Sequence, residues 1–151
     1  CSVRMGQGVI SPLIPAGGAD LLLGFEPAET YRHLGTVNRD SCIITNVTPV
    51  VPISASIGQD AYPPVDEIIA AMRSVSGNVI SIDATAKAIE AGKAIAANSV
   101  LIGAISAVKG FPLSPERMLD SLLQLVPAKA RDINVRAFEM GFDEVTRSAK
   151  S

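Results

Sequence analysis

Three short apolar runs constrain this chain most: Asp20-Leu21-Leu22-Leu23-Gly24-Phe25, Ser41-Cys42-Ile43-Ile44-Thr45-Asn46 and Asn78-Val79-Ile80-Ser81-Ile82. A strand with one wet face alternates apolar and polar residues, whereas a strand covered on both faces does not need to. These runs therefore read as buried strands. Between and after them, apolar residues recur at helical spacing: Val65, Ile68, Ile69 and Met72, then Val100, Leu101, Ala104, Ile105 and Val108. Met118, Leu119, Leu122, Leu123 and Val126 form a third such stripe, expected to face inward, and Val135, Phe138 and Phe142 a fourth. Strands alternating with helices predict an α/β fold with a mainly parallel sheet. With 151 residues, one domain spanning positions 1–151 is expected.

Local signals set the boundaries. Pro27 suits the first turn of a helix running through Glu29, Tyr31 and Leu34. Pro64 opens the helix of Val65, and Asp83 is placed to cap a helix from Ala84 to Ala91. Asn98 is the candidate cap and Gly110 the stop for the stripe beginning at Val100. Ser114-Pro115-Glu116 opens the next helix and Pro127 ends it. At the start, Val3 and Met5 alternate with Arg4, and Gly6-Gln7-Gly8 permits a reversal into Val9-Ile10, which predicts a short hairpin. Pro12, Pro15 and Gly17-Gly18 then mark irregular chain. The polar, proline-punctuated connection from Val47 to Pro63 is long for a compact domain, and loops of that length are often functional.

Composition narrows the function classes. Apolar residues make up 48% of the chain but aromatics only 4%, so the apolar content is aliphatic and small. It suits tight packing of helices on strands, and leaves room for an apolar face that another subunit buries; self-association of the isolated chain is expected on this ground. A net charge of −2 with scattered Lys and Arg leaves no basic stripe for nucleic acid. No run approaches the ~18 apolar residues of a membrane span, and no secretory leader pattern opens the chain, so a soluble cytoplasmic protein is expected. Two cysteines, Cys1 and Cys42, and one histidine, His33, make neither an iron–sulfur ligand set nor a spaced zinc site. Cys42, inside an apolar run, reads as a small buried hydrophobe.

Candidate chemistry gathers where strands end, because ligands of open α/β sheets sit outside the carboxyl ends of the strands. Glu26 directly follows the first run and precedes Pro27; it is either a partner- or ligand-facing acid or a group that complements a helix N-terminus. Glu29 and Arg32, three apart, are either part of the same edge or a surface ion pair. Asn46, Thr48 and Pro49 follow the second run and read equally as ligand contacts or turn formers. Asp83 has the same two readings. Gly6-Gln7-Gly8-Val9-Ile10-Ser11 looks like the start of a dinucleotide fingerprint, but that motif needs a helix directly after the glycines, and Pro12 and Pro15 stand there instead. No catalytic triad assembles around the one histidine, and no residue is assigned a catalytic or metal-binding role.

The ordered string Val3-Arg4, Ser11-Pro12-Leu13-Ile14 and Ala19 through Gly24-Phe25-Glu26-Pro27-Ala28-Glu29, with Arg32, resembles the gamma-type subunits of 2-oxoacid:ferredoxin oxidoreductases. Within that family the indolepyruvate type is the nearest likeness. Asn46-Val47-Thr48-Pro49 through Pro52, Tyr62-Pro63, Ile82-Asp83-Ala84, Ala97-Asn98 with Gly103, and Asn134 through Ala137-Phe138-Gly141 continue the likeness in register. The resemblance implies a Rossmann-like three-layer domain without a cofactor of its own. It also implies an accessory role beside subunits that carry thiamine diphosphate and iron–sulfur clusters. The complex would oxidatively decarboxylate a pyruvate-like 2-oxoacid to an acyl-CoA and pass electrons to ferredoxin. Glu26, Glu29, Arg32, Asn46, Thr48 and Pro49 would then face the partner subunit near the coenzyme A and thiamine region. Family members open with a strand, a Gly-rich loop and a helix, so roughly one further βαβ unit is expected ahead of Cys1. A stand-alone nucleotide- or metabolite-binding module on the same sheet is the rival reading.

Overall fold

Ile43 and Ile44 are adjacent and both fully buried, which requires that the strand carrying them be covered on both faces. The computed structural model, which describes residues 1–50 and 62–148, shows how. Strand β1 (Ala19–Gly24) leads through helix α1 (Pro27–Arg32) to β2 (Val37–Asn46), and helix α2 (Val65–Val75) leads to β3 (Asn78–Ile82). Helices α3 (Ala84–Ala91), α4 (Ala97–Ser106), α5 (Pro115–Leu125) and α6 (Arg131–Ser148) follow. The three strands form a parallel sheet in the order β1-β2-β3. Ile43 points to the side of α1 and α2, where Ala19, Val37, Ile68, Ile69 and Met72 close one core. Ile44 points the other way, into a core with Ile82 of β3 and Ala88, Val100, Leu101 and Ala137 from α3, α4 and α6. The α/β, Rossmann-like, three-layer reading holds.

Strand β2 is longer than its apolar run. It begins at Val37, paired with Ala19, and the register then jumps so that Leu21 pairs with Cys42. Asn38, Arg39 and Asp40 between them are polar and exposed, which is why no periodicity announces them. Side chains hold the irregularity: Asn38 Nδ2 donates to Gly17 O at 2.6 Å, and the Ser41 hydroxyl donates to Ala19 O at 2.6 Å. From Leu22↔Ile43 onward the register is regular, and β3 joins at Cys42↔Asn78, so all three carboxyl ends fall level.

On the far face, α4 and α6 cross almost without a gap. A Cβ added to Gly103 would lie 2.7 Å from the Phe138 carbonyl carbon, and one on Gly141 would lie 2.7 Å from that of Val100. Small residues on both helices let the backbones meet. The Ser99 hydroxyl donates to Asn134 Oδ1, adding a buried polar link across the same contact.

Four expectations need correction. The hairpin over Val3–Ile10 does not form: Gly6 and Gly8 make a turn at φ +149° and +77° in exposed chain, and no strand flanks it. An isolated two-stranded ribbon with nothing over its apolar side is at best marginal. Arg4 instead donates from its guanidinium to Ser11 O at 2.9 Å and Leu13 O at 3.1 Å. Helix α1 stops at Arg32, and Leu34 belongs to a separate 3-10 turn, Leu34–Thr36. Neither end of α4 falls at the expected residue: Asn98 does not cap it, since a 3-10 turn, Ala94–Ala96, feeds straight in and Ala96 is the cap, and the helix stops at Ser106, four residues before Gly110. Finally, α5 buries none of its residues fully: Met118, Leu119, Leu122 and Leu123 are half-buried, because among the described residues α5 packs chiefly against α4 and α6. The connection from Val47 to Pro63 lies largely outside the described residues.

Candidate functional site

The carboxyl edge of the sheet is built from the residues that directly follow the strands. Glu26, nearly buried, is the N-cap of α1, and its Oε2 accepts from the Glu29 amide at 2.9 Å. Its Oε1 accepts from the Tyr62 hydroxyl, and from the Val50 amide at 3.4 Å. One carboxylate thus ties α1 to chain on both sides of the long connection. The Tyr62 hydroxyl also accepts from the Ala28 amide at 3.3 Å. Burial, and the bond to Glu26 after it, push the Tyr62 phenol up to about 12. Its proton is held firmly on the ring oxygen.

Asn46 is buried at the end of β2 and uses its whole amide. Oδ1 accepts from the Ala84 amide at 3.0 Å and the Thr48 amide at 3.4 Å. Nδ2 donates to Phe25 O at 3.3 Å and Thr85 Oγ1 at 3.2 Å. A single side chain thereby joins the tails of β1 and β2 to the head of α3. Thr48 Oγ1 donates to Asp83 Oδ1 at 3.1 Å, and the same oxygen accepts from the Ala86 amide at 2.8 Å, capping α3.

Of the six residues singled out in the sequence, the fold brings Glu26, Asn46 and Thr48 into one hydrogen-bonded edge, with Asp83 among them. Pro49 follows directly and is exposed. Glu29 and Arg32 pair with each other on the exposed surface of α1. Tyr62 and Thr85 complete the network without any spacing signal, since Tyr62 lies 36 residues from Glu26 and Thr85 lies 39 from Asn46. What the edge leaves open is apolar: Phe25 is 49% exposed and Val50 69%.

Nucleophilic or metal chemistry has little to work with. Burial pushes the Cys42 thiol up, away from the reactive thiolate. Cys1 is exposed, and among the described residues no group of three or more His, Cys, Asp or Glu side chains comes together. The Gly6–Gly8 turn is exposed and opens no helix, so it is not a phosphate loop. No helix among the described residues is long and apolar enough to cross a membrane.

Residues 1–144 match the family profile described as pyruvate ferredoxin/flavodoxin oxidoreductase. The chain belongs to that family. Its relatives include the indolepyruvate oxidoreductase subunit IorB of Thermococcus kodakarensis, 39% identical over 140 residues, which cover 92% of this chain and 69% of that protein. The subunit of the same name from Methanothermobacter thermautotrophicus is 36% identical over 146 residues, covering 97% of this chain and 74% of the relative. Among solved structures, the gamma subunit of keto/oxoacid ferredoxin oxidoreductase from Geobacter sulfurreducens superimposes with a TM-score of 0.61 at 19% identity. The match covers 85% of this chain and 64% of that one, and at this identity it speaks for the fold. The chain thus carries an oxidoreductase-family domain of the kind found in subunits, with the three-layer fold of a gamma subunit.

Proposed function

We propose that this chain is the small accessory subunit of a thiamine-dependent 2-oxoacid:ferredoxin oxidoreductase, and that the carboxyl edge of its sheet docks against the subunit that performs the chemistry. In the overall reaction a 2-oxoacid loses carbon dioxide, its acyl carbon forms a thioester with coenzyme A, and two electrons pass to ferredoxin with release of one proton. The observation that carries this reading is the family match across residues 1–144, together with relatives named as subunits.

The chemistry of the edge agrees with docking rather than with cofactor capture by this chain. An iron–sulfur cluster takes four thiolates and the chain has two cysteines, so its residues do not fit a cluster. The diphosphates of thiamine and coenzyme A would meet the carboxylates of Glu26 and Asp83, while Arg32 is engaged by Glu29. Amides that could hold phosphate oxygens are spent on Asn46, Glu26 and Asp83. An internally satisfied polar network rimmed by Phe25, Pro49 and Val50 suits a protein surface better. There Arg32, exposed on α1, is placed to exchange its Glu29 partner for a carboxylate of the neighbouring subunit.

The test is reconstitution with the cognate thiamine- and cluster-carrying subunits, read by 2-oxoacid- and coenzyme A-dependent reduction of a viologen dye. Omitting this chain should abolish turnover or complex formation, and Phe25→Asp or Arg32→Ala should weaken both relative to Glu90→Ala on α3. Full activity without the chain, or 2-oxoacid oxidation by the chain alone, would overturn the proposal.

A further inference from the structure

A second surface, sharing no residue with the carboxyl edge, is the crease between α5 and α6. Leu119, Phe138 and Phe142 line a cavity of about 260 Å³ there, and Glu116, Glu139 and Asp143 stand around it. Phe138 is nearly buried and forms the floor, whereas Leu119 and Phe142 are half-buried walls. The volume is below the roughly 300–1,000 Å³ of a typical small-molecule site. It suits one or two apolar side chains.

The rim carries a consistent charge. Among the described residues the ion pairs are Glu29 with Arg32, and Glu144 with both Lys87 and Arg147. None involves Glu116, Glu139 or Asp143, and no Lys or Arg lines the cavity. Three carboxylates around an apolar hollow attract cationic groups at range and repel acidic ones. Helix α5, which forms one wall, is amphipathic yet fully buries none of its residues. An apolar anchor seated between α5 and α6 would complete the burial of its inner stripe.

We infer that the α5–α6 crease is a docking site for a segment of a partner subunit that presents an apolar anchor flanked by Lys or Arg. This is a second contact, distinct from the carboxyl edge, and it rests on the assembly reading only for the identity of the partner. The anchor fills the hollow as a desolvated hot spot, and the three carboxylates orient the basic flanks around it.

The experiment measures affinity of the chain for the cognate subunits by biolayer interferometry at 50 and 500 mM NaCl. Wild-type binding tests the assembly reading, and its failure would overturn the partner named here as well. Given binding, Glu139→Lys/Asp143→Lys should weaken it at least tenfold at low salt and flatten the salt dependence, with thermal stability unchanged. The neutral pair Glu139→Gln/Asp143→Asn should show a smaller loss, about threefold, and Glu90→Lys on α3 should show little. Both crease pairs binding within twofold of wild type would refute the docking site while leaving the assembly reading intact. So would light scattering in which the lysine pair abolishes self-association but leaves subunit affinity unchanged, since the occupant would then be a second copy of this chain.

Discussion

Replacing Glu26 separates a clamp within the chain from a side chain held ready for a partner. In the clamp, Glu26→Ala removes the acceptor for the Glu29 amide, a capping loss typically near 1 kcal/mol. It also removes the charged acceptor of the Tyr62 hydroxyl, for which about 1.5 kcal/mol is reasonable at a partly exposed site. The Val50 amide, at 3.4 Å, adds little. The sum is roughly 2.5 kcal/mol, equivalent to about 5–10 °C in Tm for a chain of this size. Glu26→Gln keeps one acceptor oxygen, enough for the Glu29 amide, but its NH2 can only donate, so the Tyr62 hydroxyl loses its charged acceptor and about 1.5 kcal/mol is expected. Urea titration of the isolated chain followed by far-UV circular dichroism reads both variants. If Glu26→Ala unfolds within about 0.5 kcal/mol of wild type, the bonds seen here contribute nothing net and Glu26 belongs to the partner surface alone.

Tyr62 supplies a pH test with a definite sign. Its folded-state pKa, raised to about 12 from an ordinary value near 10, contributes stability that is complete below pH 10 and lost as pH climbs toward 12. Two units correspond to at most ~2.7 kcal/mol, which solvent screening at a partly exposed ring reduces to about 1 kcal/mol; Tyr62→Phe should flatten that stretch of the stability-versus-pH curve, and an unaltered slope would contradict the assignment. At the α4–α6 crossing, Gly103→Ala should lose stability although alanine is the better helix former by about 1 kcal/mol, because the new methyl group meets the Phe138 backbone and overpacking costs roughly 1–3 kcal/mol or more. Gly35→Ala, with open space around it, should change stability by under about 0.5 kcal/mol, and differential scanning calorimetry giving Gly103→Ala a Tm at or above wild type would show that the helices can part freely.

The three strands are legible in the sequence because each is a run of aliphatic residues too short for a helix and bounded by breakers, and burial on both faces leaves little choice of conformation. Helix starts at Pro27, Asp83 and Ser114 are equally plain, since a cap acts within three or four residues and leaves its mark locally. Failures occur where the deciding interaction is remote or merely absent. The turn at Gly6–Gly8 has the residues of a hairpin but no third element to cover it. The first half of β2 is polar because Asn38 and Ser41 are bonding to Gly17 and Ala19 across the irregular register, and no local pattern encodes that. Asn98 has the chemistry of a cap, yet the 3-10 turn before it already satisfies the helix start.

The carboxyl edge shows the same division between local and remote information at the level of function. Strand ends identify Glu26, Asn46 and Thr48 as neighbours, because parallel strands must finish on one side. Whether such residues are held inward or offered outward depends on partners dozens of positions away: Tyr62 for Glu26, Ala84 and Thr85 for Asn46, Asp83 for Thr48. Those partners consume the hydrogen-bonding capacity on which a ligand-binding role would draw. The same network makes the edge suitable for docking, since a surface whose polar groups are already satisfied can lose water without leaving donors or acceptors unpaired. In the docking proposed above, contact energy would fall to Phe25 and Val50, the exposed apolar residues that hydrophobic patterning in the chain counts as strand end and loop. Residue type alone selects the polar members of such an edge, whereas burial leaves its apolar members, Phe25 and Val50, as the exposed ones.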